Sequence, residues 1–119
     1  MRGADRLLEE AVELSRRIYV ADHRDTARVV MSLAGVRHRT PERRAEARAG
    51  FDEALAMWRR LSPEGSSGLA AALYRSGEAR IDTGDEPGAR ADFAAALAVG
   101  EKVLPPANKE LEKYRASVK

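Results

Sequence analysis

The two phenylalanines of this 119-residue chain, Phe51 and Phe93, lie 42 residues apart, and further matches fall at the same offset: Gly35/Gly77, Ala47/Ala89, Ala54/Ala96, Leu55/Leu97, Leu61/Val103 and Pro63/Pro105. Alanine coincidences are cheap in an alanine-rich sequence. Paired aromatics, glycines and prolines falling in step are not. A period of this length is the mark of a solenoid, whose units bury their apolar faces against their neighbours. An amino-terminal copy of part of the pattern matches at an offset of 43, with Leu8, Ala11, Val12, Arg16, Arg17 and Ile18 against Phe51, Ala54, Leu55, Arg59, Arg60 and Leu61.

Helical periodicity carries this repeat. Ala47, Phe51, Ala54, Leu55, Trp58 and Leu61 are spaced by three or four, so they share one face of a helix. Thr40 is its expected N-cap and Pro41 its first residue, where a missing N–H is harmless. Leu69, Leu73, Gly77 and Ile81 align on the next helix, which Ser66 or Ser67 can cap. Gly84 supplies the left-handed residue after it, and Asp85 caps the following helix, whose stripe is Ala89, Phe93, Ala96, Leu97 and Leu104. The order read from this is an unpaired second-type helix over 4–20, one helix pair over 24–61, a second over 67–104 and a closing helix over 107–118, all in one domain spanning 1–119. The fold class is all-α.

The stretch LAAALYRSGEARIDTGDEPGARADFAAALAV resembles a tetratricopeptide repeat. Leu73 and Gly77 take the large and small positions of the first helix, Gly84 and Asp85 the turn, and Ala89, Phe93 and Ala96 the small-large-small series of the second. Arg80 stands where a tyrosine is usual, and the closing proline comes late, at Pro105. That lateness, with the period of 42, resembles the longer repeat of kinesin light chains and bacterial regulatory proteins. The resemblance implies a right-handed α-solenoid of about two and a half repeats of antiparallel helix pairs, with Phe93 filling the space between adjacent pairs. It also implies a non-enzymatic scaffold that binds a protein or peptide segment in a groove lined by first helices. By position the lining residues are Val29, Ser32, Leu33 and Val36 in the first pair and Tyr74, Arg75, Glu78 and Asp82 in the second. Tyr74 and Arg75 are the favoured contacts, since an aromatic ring and a guanidinium supply stacking and carboxylate recognition. Both are expected to tolerate substitution as surface residues.

Other chemistry finds little purchase. Asp82-Thr83-Gly84 spells an aspartic protease triplet, but that reaction needs two facing carboxylates and only one copy is present. Gly65-Ser66-Ser67-Gly68 lacks the lysine of a phosphate loop. Asp22, His23 and Asp25 crowd ligand atoms into a loop, yet the chain has no cysteine and no paired histidines at zinc spacing. No metal or cofactor is therefore assigned. Arg37, Arg39, Arg43, Arg44 and Arg48 outnumber Glu42 and Glu46, but helical spacing scatters them, and they read as a solvated surface. The 21 basic and 19 acidic residues leave a net charge of only +2, which gives no pointer to nucleic acid, and no apolar run is long enough to suggest a membrane partner. Missing cysteines and the lack of a long apolar run fit a cytoplasmic protein.

One alternative has a physical motive. A chain opening on a second-type helix leaves Leu7, Leu8 and Leu14 without a first helix to cover them. They could serve a homo-oligomer or a longer array.

Overall fold

A computed structural model describes residues 2–119, with side chains from residue 3 onward. Its helices are α1 (Arg2–Ile18), α2 (Arg24–His38), α3 (Arg44–Leu61), α4 (Ser67–Asp82), α5 (Glu86–Val103) and α6 (Lys109–Ser117). No strand occurs among the described residues. The contacts divide into two compact units, one ending at Leu61 and the other spanning Ser62–Lys119.

In the first unit α2 packs on both α1 and α3. Its core draws Ala27, Val30, Met31, Leu33 and Ala34 from α2, and Ala47, Phe51, Ala54, Leu55, Met57 and Trp58 from α3. The buried hydroxyls of Ser15 and Thr26 share a 2.6 Å hydrogen bond that ties α1 to the start of α2. His23 caps α2, its Nδ1 accepting from the Asp25 amide at 3.1 Å, and the Tyr19 ring stacks on the imidazole at 3.6 Å. Asp22, the other end of this ligand-like cluster, accepts two hydrogen bonds from Arg60 at 2.6 and 3.0 Å. These loop residues are thus engaged in capping and tethering.

Two details of the first unit differ from the sequence reading. Thr40 is extended and makes no side-chain cap bond; a 3₁₀ turn, Pro41–Arg43, leads into α3 instead. The arginine run is not a scattered solvated surface. Arg37 is only 18% exposed and reaches Glu9 of α1 at 2.9 Å and Glu46 of α3 at 3.7 Å. Arg43 bonds Asp5 of α1 and Glu46, while Arg44 donates to the His38 carbonyl at 3.0 Å. Arg16 to Glu53 at 2.5 Å joins the Arg37–Glu9 and Arg43–Asp5 pairs in pinning α1 to its neighbours.

In the second unit α4 and α5 form a hairpin and α6 packs on α5. Ser66 caps α4, accepting from the Leu69 amide at 3.0 Å. Gly84 has φ of +82°, a conformation that disfavours any residue with a Cβ. Asp85 then accepts from the Gly88 amide at 3.0 Å and caps α5. Arg80, where the family resemblance expects tyrosine, welds the hairpin: its Nε donates to Asp92 at 2.9 Å and its guanidinium reaches Asp85 at 2.7 Å. Burial disfavours its charge, but the bonds to Asp85 and Asp92 outweigh that and raise its pKa.

The two phenylalanines share a role within their own hairpins, each buried on the second helix. Their ring neighbours differ, His38 meeting Phe51 edge-on at 6.1 Å and Tyr74 lying 5.3 Å from Phe93. Phe93 rests on Gly77 of its own pair. Ile81 does not join Leu69, Leu73 and Gly77 inside; it is 50% exposed. Leu104 falls just outside α5, as its extended C-cap.

Candidate partner-binding site

The eight groove residues separate into two groups. On α2, Val29, Ser32 and Val36 are half-buried, whereas Leu33 is buried. Leu33 is set apart from Ser32 and Val36 by its burial, and it joins Val30, Ala34 and Arg37 in lining one cleft. Those four side chains floor a cleft of about 460 Å³ between α1 and α3, with Val12 and Gly50 beside them and Glu9, Glu13, Arg16 and Glu53 at its rim. The rim is already paired internally, Glu9 with Arg37 and Arg16 with Glu53.

On α4, Arg75, Glu78 and Asp82 are exposed. Tyr74 is not an open surface residue. Its ring sits between Phe93, at 5.3 Å, and Tyr114 of α6, at 5.4 Å, with the Lys113 ammonium 4.8 Å from its centroid. Burial pushes the Tyr114 phenol above its ordinary pKa. Lys113 is raised in turn, foremost by its hydrogen bond to Glu110. A substitution at Tyr74 therefore disturbs packing as well as any contact it makes, which corrects the expectation that it behaves as a surface position.

A depression of about 640 Å³ lies at the Ile81 end of α4. Phe93 and Ala94 line its apolar interior, Ile81 and Val118 add aliphatic walls, and Glu86, Arg90 and Lys119 bring charges of both signs. Sequence reasoning placed Ile81 in the core, and it did not single out Val118 or α6 for the site. The one available signal was Leu111, which repeats Leu69 at the period of 42 and marks α6 as a further first-type helix.

Among the described residues no group of three His, Asp or Glu side chains could hold a metal ion. No described helix is long and apolar enough to cross a membrane. A family model for the tetratricopeptide repeat matches residues 1–25, which cover α1 and the loop that leads into α2. The match supports a repeat of that family at the end of the chain where the internal pattern is faintest. No curated protein matches the chain. Tetratricopeptide repeats are in general scaffolds for protein–protein interaction, and the all-helical hairpins described above agree with that architecture.

Proposed function

We propose that this chain is a non-enzymatic scaffold that binds a protein or peptide segment along the faces of its first-type helices. The observation that carries this reading is the surface of α4. There Phe93, braced by Tyr74, lies in a depression walled by Ile81 and Val118 and edged by the charges of Glu86, Arg90 and Lys119, and Arg75, Glu78 and Asp82 are exposed elsewhere on α4. An apolar recess for one or two side chains, set beside charges that fix orientation, is the chemistry of peptide recognition. Half-buried Ser32 and Val36 supply the corresponding face in the first unit, with Leu33 set into the cleft beside it. Second helices of 18 residues against first helices of 15 and 16 suit the longer, kinesin light chain type of repeat. The cysteine-free composition suits a reducing, cytoplasmic setting.

The test is capture from a lysate of the source cell on immobilised chain, followed by mass spectrometry. The captured partner should then be lost by a chain carrying Arg75→Glu and Ile81→Glu whose helix content and melting are unchanged. Equal capture by that variant removes the α4 face from the site.

A second reading rests on a separate observation: Leu7, Leu14 and Ile18 of α1 are 68%, 55% and 60% exposed. An apolar stripe of that kind suits association with another helix, including one from a second copy of the chain.

A further inference from the structure

The internal repeat identifies what covers the faces equivalent to that stripe. Shifted by 43, Leu7, Ala11, Leu14 and Ile18 become Gly50, Ala54, Met57 and Leu61 of α3. Ala54 and Met57 are buried, and Gly50 lies so close to α2 that a Cβ there would stand 3.0 Å from that of Ala34. Shifted by 85, Leu7 becomes Asp92 of α5, which bonds Ser76 and Arg80 of α4. In both complete hairpins this face is therefore turned toward an antiparallel first helix. In α1 it is turned to solvent, while the adjoining flank, with buried Ser15, packs on α2.

We infer that a second copy of this chain covers this face, its α1 lying antiparallel against the first across a twofold axis. This deepens the second reading above and rests on it. The spacing of the stripe is four, three, four residues, which is the same read in either direction. A single twofold centred between Val12 and Glu13 thus sets Leu7 against the partner's Ile18, and Ala11 against the partner's Leu14, at all four positions at once. A small residue then meets a large one at the centre, as interdigitating helices require. Charge agrees along the edge of the seam. On the wheel Glu10 and Arg17 flank the stripe on the side away from α2, and reversing the second helix brings Glu10 within about 3 Å along the axis of the partner's Arg17. The twofold makes that pair twice. An isologous contact of this kind closes on itself and stops at the dimer.

The experiment uses the full chain, whose lack of cysteine makes engineered thiols unambiguous. Sedimentation equilibrium should show a concentration-dependent dimer, and Leu14→Glu, a change at an exposed position, should raise its dissociation constant at least about tenfold by placing a carboxylate in the seam. Under mild oxidation an equimolar mixture of Ala11→Cys and Leu14→Cys chains should form the mixed disulfide at least about fivefold faster than either chain cross-links with itself, since thiols must approach closely to join. A chain that stays monomeric at about 100 μM overturns both the pairing and the self-association reading, leaving the stripe to a helix from elsewhere. A dimer that Leu14→Glu does not weaken overturns the role of α1. A dimer in which Ala11→Cys chains join each other fastest overturns the antiparallel register while self-association stands.

Discussion

Phe93 lies on Gly77 so closely that a Cβ added at residue 77 would stand 2.6 Å from the ring's Cε1 and 2.8 Å from its Cδ1. No rotation of a buried ring held against Tyr74 relieves a clash of that size without moving its neighbours. Gly77→Ala is expected to destabilise by about 1–3 kcal/mol, the usual cost of overpacking. Gly3→Ala is the control. It sits in α1 with nothing within 4 Å of the added carbon, so it should be neutral or stabilising by up to about 1 kcal/mol. Urea unfolding of the two variants checks both signs.

Arg80 holds the second hairpin shut at its loop end, joining the α5 cap Asp85 to Asp92. The Asp92 side chain is largely buried and also accepts from Ser76 at 2.6 Å. Arg80→Met keeps the aliphatic stem but strands part of that carboxylate, at an expected cost of about 1.5–3 kcal/mol. Combined with Asp92→Asn, the loss should fall short of the sum by at least about 0.5 kcal/mol, because each change removes the same contact. Strict additivity in a double-mutant cycle would show that the pair carries no coupling.

What the sequence made legible is what depends on neighbours three, four or forty-two residues away. The helix stripes, the Ser66 and Asp85 caps and the left-handed Gly84 are local facts, and each appears in the structure where its residue type requires it. What stayed hidden depends on partners that no spacing rule specifies. Asp5 lies 38 residues before Arg43 and Glu9 lies 28 before Arg37, so two arginines of a run that looked solvated hold α1. Tyr74 looked open because its cover, Tyr114, belongs to a nine-residue helix whose packing only the folded chain reveals. Ile81 followed the apolar stripe by arithmetic, yet at the last turn of α4 it runs past the end of the packed face.

Acid should loosen the first unit through two carboxylates. Hydrogen bonds from Arg60 hold Asp22 below its ordinary pKa of 3.8, and the bond from Arg43 holds Glu46 below its ordinary 4.5. A depressed folded-state pKa means that the unfolded chain binds the proton first. The stabilisation is therefore present above these ordinary values and is lost as pH falls through the folded ones. Asp22→Asn should lower the melting temperature at neutral pH, and its curve should converge on the parent's as pH drops below 3.8. High salt should shrink the difference, since both partners are solvent-facing. Parallel curves down to about pH 2.5 would show that Asp22 does not titrate with folding.

Binding and stability separate most cleanly on α4. Tyr74→Ala removes a ring lodged between Phe93 and Tyr114 and takes the Lys113 contact with it, so it should cost about 1–3 kcal/mol and weaken partner capture indirectly. Tyr74→Phe keeps the stack and should leave melting nearly unchanged, which isolates any contribution of the hydroxyl to the partner. Arg75→Glu, on the exposed side of the same helix, should change stability by no more than about 0.5 kcal/mol while reversing the charge a partner meets. The ordering expected for capture is parent and Tyr74→Phe together, then a loss for Arg75→Glu at full stability, with Tyr74→Ala losing both. Calorimetry against the captured partner and thermal melting of the free chain give the two axes. If Arg75→Glu binds like the parent while Tyr74→Ala fails only in proportion to its lost stability, α4 acts as a structural element and the partner's contacts lie on another face.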